Sequence, residues 1–219
     1  MIQLLVDLIE QKRNREKAIP MENYMKNHFP FLGIKSPERS QLMKLFYQES
    51  GILKKSFQED FVIALWEKDE REYQYAALDY IGRSLKKLDK QHLPLMKKLI
   101  MTKPWWDTVD LLASNPVGAI AANHPEVIQE VIDTWAYGDH LWLRRTAILF
   151  QLKYKERTNE ELLYHYIQQN KESNEFFIQK AIGWILREYS KTNPTSVKAF
   201  IESTPLPKLS VREGSKYIK

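Results

Sequence analysis

Two tryptophans and two carboxylates lie close together between residues 103 and 110. Trp105 and Trp106 are adjacent, and Asp107 and Asp110 follow on their carboxyl side. A proline just before the tryptophans is typical of the first turn of a helix, where its missing N–H costs no hydrogen bond. On that helix Trp106 and Asp110, four residues apart, share one face. A carboxylate there can stabilise a positive charge or orient water, and the face of an indole attracts cations.

The rest of the sequence excludes several common kinds of catalytic site. The chain has no cysteine, which excludes thiol catalysis and thiolate metal sites. Its five histidines show none of the spacings of a helical metal site. The sequence also lacks a glycine-rich nucleotide loop and a nucleophile elbow. We therefore expect chemistry that uses neither a metal nor another cofactor.

The chain carries a mild excess of basic residues. Its 33 lysines and arginines outnumber 28 aspartates and glutamates, which gives a formal net charge of +5 at pH 7. This excess suits a nucleic-acid partner but does not by itself establish one. The amino-terminal segment contains a charged residue too early for a signal peptide, and no uninterrupted apolar segment is long enough for a membrane helix. We predict a cytoplasmic location.

Helix signals occur along the whole sequence, whereas alternating strand patterns and hairpin turns are scarce. Ser36 precedes a proline and is predicted to be the N-cap of a helix, and Gly51 predicts the end of that helix. Four helices are expected to begin at a spacing of about 35 residues, and a second, shorter helix follows each of them. The first set begins near Arg71, Trp105, His140 and Asn174, and the second near Gln91, Pro125, Asn159 and Pro194. The fold class is therefore all-α.

This repeat predicts an α-α superhelix (solenoid) of HEAT/ARM-like helical repeats with a concave DNA-binding face. We expect one domain over residues 1–219, with irregular amino-terminal helices in 1–68 and repeats of about 35 residues in 69–219. Sliding the chain by one repeat aligns Asp110, Arg145 and Lys180, which we expect to form a row of exposed positions. Trp184 and Arg187 continue that face beyond Lys180. Basic residues alternating with indoles suit a phosphate backbone with bases against the rings.

Structural explanations compete with these roles at several positions. Trp105 is expected to be a packing residue more often than a ligand contact. Asp107 lies in a first helical turn, where the helix dipole favours an acid by about 0.3 to 1 kcal/mol. Arg145 is compatible with a solvated surface arginine. Pro116, within the helix after Asp110, is expected to kink or break that helix.

Three segments, 105–110 (WWDTVD), 143–147 (LRRTA) and 180–184 (KAIGW), resemble the bacterial AlkD-type DNA glycosylases of DNA alkylation repair. The resemblance implies that Asp110 is the catalytic carboxylate and that Trp106 and Trp184 contact the damaged nucleotide. It also implies that Arg145 engages the DNA backbone near the lesion, and that Tyr24 makes an aromatic contact with DNA. Lys180 and Arg187 are expected to hold phosphates beside these residues.

Members of that family excise N3- and N7-alkylated purines without metal, and they do not swing the base into a deep pocket. The resemblance therefore implies a hydrolase of N-glycosidic bonds that acts on double-stranded DNA. Because a solenoid needs an open groove to bind duplex DNA, we expect a monomer. Two alternatives remain open at this point. One is a non-catalytic HEAT-like protein that binds unusual DNA structures, and the other is a scaffold that binds a protein or peptide in the same groove.

Overall fold

The fold is known from a computed structural model that describes residues 1–218. Over these residues the chain consists of helices and their connections, without a β-strand. The predicted all-α fold class is therefore confirmed. Packing divides the chain into two compact units, which meet in sequence between Leu88 and Asp89. Within residues 1–218 no helix is both long enough and apolar enough to cross a membrane.

The first unit is built from helices whose ends follow ordinary capping rules. The Asn14 side chain caps the second helix by accepting a hydrogen bond from the backbone N–H of Lys17 at 3.0 Å. Gly51 ends the third helix in the left-handed conformation, as predicted. Ser36 is the first residue of that helix, and Lys35 occupies the capping position without a side-chain bond, so the predicted serine cap is wrong. The helices are α1 (Ile2–Glu10), α2 (Arg15–Tyr24), α3 (Ser36–Ser50), α4 (Glu59–Glu67) and α5 (Arg71–Arg83).

A buried carboxylate fixes the connection between α2 and α3. Glu72 on α5 accepts hydrogen bonds from three successive backbone N–H groups, those of Leu32, Gly33 and Ile34, at 2.9 to 3.0 Å. Gly33 has a φ of +89°, and a Cβ there would lie only 2.0 Å from the carbonyl oxygen of Asn14. The backbone of this connection is thus held by hydrogen bonds that a larger residue at position 33 would disrupt.

The second unit contains the segments singled out in the sequence. The first-set helices predicted near Trp105, His140 and Asn174 begin within two residues of those positions, and so do the second-set helices predicted near Gln91, Asn159 and Pro194. Near Pro125 the helical conformation begins at Glu126 and passes through a π-helical stretch, Ile128–Ile132, before the next α-helix begins. The helix predicted near Arg71 is α5 of the first unit. Asn193 caps the helix that begins at Pro194 by accepting a bond from the N–H of Ser196 at 3.2 Å. The helices are α6 (Leu93–Met101), α7 (Trp106–Leu112), α8 (Gly118–Asn123), α9 (Asp133–Tyr137), α10 (Leu141–Leu149), α11 (Glu160–Asn170), α12 (Phe176–Tyr189), α13 (Pro194–Ser203) and α14 (Lys208–Gly214).

Hydrogen bonds between residues about one repeat apart tie these helices together. The Tyr154 hydroxyl donates to the carbonyl of Gly118, 36 residues earlier, at 2.6 Å. The Asn170 amide donates to the carbonyl of Ala136, 34 residues earlier, at 3.1 Å. Equivalent elements of successive repeats are therefore in contact, and the predicted helical-repeat fold is confirmed. The predicted single domain over residues 1–219 stays a prediction.

The apolar core of the second unit lies among α10, α11, α12 and α13. Ile148, Ile167, Ile182 and Val197 are among its fully buried residues, and one comes from each of these helices. Burial of each such side chain contributes about 1.5 to 3 kcal/mol relative to exposure. Trp184 is partly buried against this core. The packing of α12 thus fixes the position of one predicted site residue.

Candidate active site

The aromatic residues at the start of α7 form a packed cluster. Trp105 occupies the capping position in an extended conformation, just after Lys103, which has a positive φ of 51°. The Trp105 ring lies 5.8 Å from the ring of Trp142 and 5.1 Å from that of Phe177, centroid to centroid. Trp142 and Phe177 are themselves 4.9 Å apart. This packing agrees with a structural role for Trp105, and it joins the starts of α7, α10 and α12.

Asp110 lies on α7 and forms a two-point ion pair with Arg145 of α10. The Arg145 Nε donates to Asp110 Oδ1 at 2.7 Å, and Nη2 donates to Oδ2 at 2.9 Å. A third donor, Nη1, bonds to the backbone carbonyl of Phe177. The expectation that these aligned positions are exposed is wrong for this pair, because Asp110 is 9% exposed and Arg145 4%. Burial of both charges is possible because the guanidinium donates, and the carboxylate accepts, hydrogen bonds that replace those lost from water.

Burial raises the pKa of Asp110 above its ordinary value. The hydrogen bonds and the charge of Arg145 oppose this rise, whereas the negative charge of Asp107 adds to it. Asp107 is itself 9% exposed and lies one turn earlier on α7. A carboxylate that is removed from water interacts strongly with any positive charge brought beside it. The site is therefore electrostatically suited to stabilise a developing cation.

Trp106 is the first residue of α7 and lies one turn before Asp110. It is intermediate in exposure, so its indole is neither fully enclosed nor fully in solvent. The structure thus confirms that Trp106 and Asp110 occupy one short helix at the spacing that puts them on the same face.

The interruption predicted at Pro116 takes the form of a π-helical segment, Ala113–Val117, between α7 and α8. A proline cannot donate the backbone bond of a regular helix, and the wider π turn accommodates that loss. The Ser114 hydroxyl donates to the backbone carbonyl of Asp110 at 2.8 Å. The carboxyl end of the short helix that carries Asp110 is therefore fixed by the segment that follows it.

The predicted residues of α12 meet a carboxylate that the sequence analysis did not identify. Lys180 Nζ lies 3.1 Å from Glu213 Oε1, and Arg187 Nη1 lies 3.2 Å from Glu213 Oε2. Trp184 lies between these two cations in the sequence of α12 and is partly buried. The structure thus brings Lys180 and Arg187 together through Glu213 of α14.

Tyr24 is the last residue of α2, in the first unit, and 70% of its surface is exposed. Its proposed contact with DNA stays a prediction. An exposed aromatic ring at the end of a helix is compatible with that role and does not establish it.

Phe177 and Glu213 belong to this description although neither was singled out from the sequence. Phe177 lies 35 residues after Trp142, so the repeat register carried a signal for it. Glu213 lies beyond the last recognised repeat start, and its partners are 33 and 26 residues earlier. No spacing in the sequence distinguishes it from the other acidic residues.

The acidic residues near Asp110 do not form a cluster with the arrangement of metal ligands. Across residues 1–218, no cluster of three or more histidines, aspartates or glutamates is arranged to hold a metal ion. Asp110 and Asp107 are two carboxylates on one helix, and the nearest charged group of opposite sign to Asp110 is the Arg145 guanidinium. The arrangement is that of a carboxylate–guanidinium site.

The chain is similar in sequence and in fold to DNA alkylation repair enzymes. The family model of the DNA alkylation repair enzymes matches residues 5–218. A solved structure described as a predicted DNA alkylation repair enzyme from Enterococcus faecalis is 37% identical, with a TM-score of 0.84; the match covers 94% of this chain and 97% of that one. AlkD2 from Streptococcus mutans has a similar fold at 19% identity, with a TM-score of 0.61; the match covers 84% of this chain and 91% of that one. No curated protein matches the chain.

Proposed function

Because the chain belongs to the DNA alkylation repair enzyme family, we propose that it is a DNA glycosylase that excises cationic N3- and N7-alkylated purines from double-stranded DNA. One observation carries the proposal: a buried carboxylate, Asp110, is held at both oxygens by Arg145 and lies one turn after a partly exposed tryptophan, Trp106. This arrangement suits the stabilisation of a positive charge at a defined place.

The chemistry needs few protein groups because the substrate is already activated. An N3- or N7-alkylpurine carries a positive charge, so its glycosidic bond is weakened and the base leaves as a neutral molecule without protonation. The remaining barrier is the oxocarbenium-like sugar, which the Asp110 carboxylate stabilises. The oxygen of a water molecule then bonds to C1′, and Asp110 accepts the proton that this water releases. A second acid is not required.

Two tryptophans serve the cationic base in this proposal. An indole face attracts a cation by about 0.5 to 2 kcal/mol, and by more when water is excluded. Trp106 precedes Asp110 by one turn, and Trp184 is held against the apolar core of the second unit. Both would contact the lesion without a deep pocket around the base. Selectivity would come from the charge and lability of the lesion, so a neutral base such as uracil should be a poor substrate.

The DNA backbone would be bound by basic residues and one aromatic residue. Lys180 and Arg187 are partly exposed and would contact phosphates, with Tyr24 as an aromatic contact. Arg145 would orient Asp110 through two of its donors and reach the backbone through those N–H groups that bind neither Asp110 nor Phe177. The predicted monomeric state and cytoplasmic location stay predictions.

Release of 7-methylguanine from methylated duplex DNA tests the proposal. The wild-type protein should release the base, and Asp110→Asn should lose most of that activity because the amide carries no charge. A uracil-containing duplex serves as the neutral-lesion control. If the wild-type protein releases no 7-methylguanine, the proposed glycosylase activity is rejected. Full activity in Asp110→Asn would reject the assigned role of the carboxylate.

A second candidate is a non-catalytic protein of the same fold that binds DNA of unusual structure or a protein partner. It is favoured by the same ion pair, because Arg145 occupies both oxygens of Asp110 and a buried pair of this kind also serves as a structural link. A protein that releases no base but binds DNA with a strong salt dependence would be the DNA-binding member. Absence of both properties would leave the protein scaffold.

A further inference from the structure

Glu213 on α14 is surrounded by basic side chains. Its carboxylate oxygens lie 2.6 Å from Lys216 Nζ, 3.1 Å from Lys180 Nζ, 3.2 Å from Arg187 Nη1 and 3.8 Å from Arg212 Nη2. The Glu213 side chain is 10% exposed, whereas those of the four cations are 26% to 71% exposed. A single enclosed negative charge thus holds four more exposed positive charges.

Close packing of α14 on α12 keeps this carboxylate in place. A Cβ at Gly183 would lie 2.6 Å from the Cβ of Glu213 and 3.0 Å from the carbonyl oxygen of Ser210, so only glycine permits this approach. The Ser210 hydroxyl donates to the carbonyl of Gln179 at 2.8 Å. Hydrogen bonds from Lys216 and Lys180 lower the pKa of Glu213 to about 2, so the group is charged at neutral pH.

We propose that Glu213 is a specificity-determining residue that limits the binding of undamaged DNA by restraining the surrounding cations. The inference rests on the proposed function, since it takes Lys180 and Arg187 to be phosphate contacts. These two cations flank Trp184 on α12, four residues before it and three after it. Held by Glu213, they meet phosphates in the one register that brings a nucleotide to Trp184. Released, they would reach phosphates in any register.

The charge of this cluster predicts how removing Glu213 changes DNA binding. The four cations and Glu213 together carry a formal charge of +3. Every phosphate that binds Lys180 or Arg187 competes with the carboxylate for the same donors. Removing that competition should add phosphate contacts on any DNA, and each added contact steepens the logarithmic salt dependence by about 0.9. The contacts made at the lesion itself are unaffected by this change, so lesion preference should fall.

The test measures binding of a short undamaged duplex and of the same duplex with a tetrahydrofuran abasic analogue, over a series of salt concentrations. The variants are Glu213→Gln and, as a charge-matched control, Glu160→Gln. Glu160 accepts its hydrogen bonds from two neutral groups, the Tyr189 hydroxyl and the Asn193 amide. Glu213→Gln should bind undamaged duplex about three- to tenfold more tightly, with a salt slope steeper by about 1 to 2. Glu160→Gln should stay within about twofold of wild type.

Three results would overturn the inference. They are unchanged or weaker binding by Glu213→Gln, an equal gain in Glu160→Gln, and a lesion preference that does not fall. If Glu213→Gln does not fold, Glu213→Asp replaces it, because withdrawing the carboxylate by one methylene should shift affinity in the same direction. The proposed function is judged separately by base release from the wild-type protein, so binding that behaves as expected without base release would reject the enzyme and keep the inference.

Discussion

Asp110→Asn offers the sharpest test of the site because the stability effect and the activity effect have different causes. The side chains of Asp110 and Arg145 are 12% and 5% exposed, so the pair is nearly desolvated. Breaking a buried pair at one partner costs about 3 to 5 kcal/mol. The asparagine oxygen still accepts one bond from Arg145, which places the expected loss near the lower end. For a chain of this size, about 3 kcal/mol lowers the melting temperature by about 6 to 12 °C.

Substitution of the other partner, Arg145, tests how the guanidinium affects the charge of Asp110. Arg145→Met leaves the carboxylate buried without its guanidinium, so the pKa of Asp110 should rise further above its ordinary value. An acid with a raised folded-state pKa is charged only above that pKa. Base release by Arg145→Met should therefore need a higher pH than release by the wild-type protein, whereas Asp110→Asn should show no such gain as the pH rises.

A double-mutant cycle of Asp110→Leu, Arg145→Met and the variant that carries both measures the coupling between the two side chains. Replacing both charges by apolar groups of similar size is often neutral or stabilising, so the double variant should regain most of the stability that each single variant loses. It should still release no base. The assays are thermal and urea unfolding beside 7-methylguanine release. Wild-type stability in Asp110→Asn, or a double variant as unstable as the sum of the single ones, would refute the reasoning.

The remaining predictions concern α12 and its neighbours. Gly183→Ala should lose about 1 to 3 kcal/mol in urea unfolding because its Cβ meets Glu213, whereas Gly82→Ala, with open space around the new Cβ, should gain up to about 1 kcal/mol. The pKa of Glu213, lowered to about 2, stabilises the fold above the ordinary value of 4.5 and loses that contribution as pH falls towards 2. Glu213→Gln should therefore flatten the acid limb of the stability profile between these values, and an unchanged limb would contradict the assignment. Trp106→Ala should lower base release. Trp184→Ala should lower both base release and melting temperature because Trp184 packs against the core, and an unchanged melting temperature in Trp184→Ala would contradict this packing role.

The sequence by itself determined most of the helix starts in the second unit, the order of those helices and the residues that were predicted for the candidate site. Proline and asparagine at helix starts act locally through backbone geometry and capping bonds, so the start at Pro194 was predicted correctly. The repeat of about 35 residues follows from similar helices packing in the same way, and it aligns Asp110 with Arg145. The spacing of Trp106 and Asp110 on one helix is likewise a property of the chain alone.

Only the tertiary structure decided which aligned charges are buried and which groups they contact. The register placed Arg145 beside Asp110 but also predicted exposure, and the depth at which α10 packs on α7 is what removes both groups from water. The role of Glu213 was not predictable for the same reason. Two of its partners, Lys180 and Arg187, lie on another helix, and the close approach of that helix depends on the missing side chain of Gly183. Burial and cross-helix contact depend on how close the helices come, and the sequence pattern of each helix leaves that distance open.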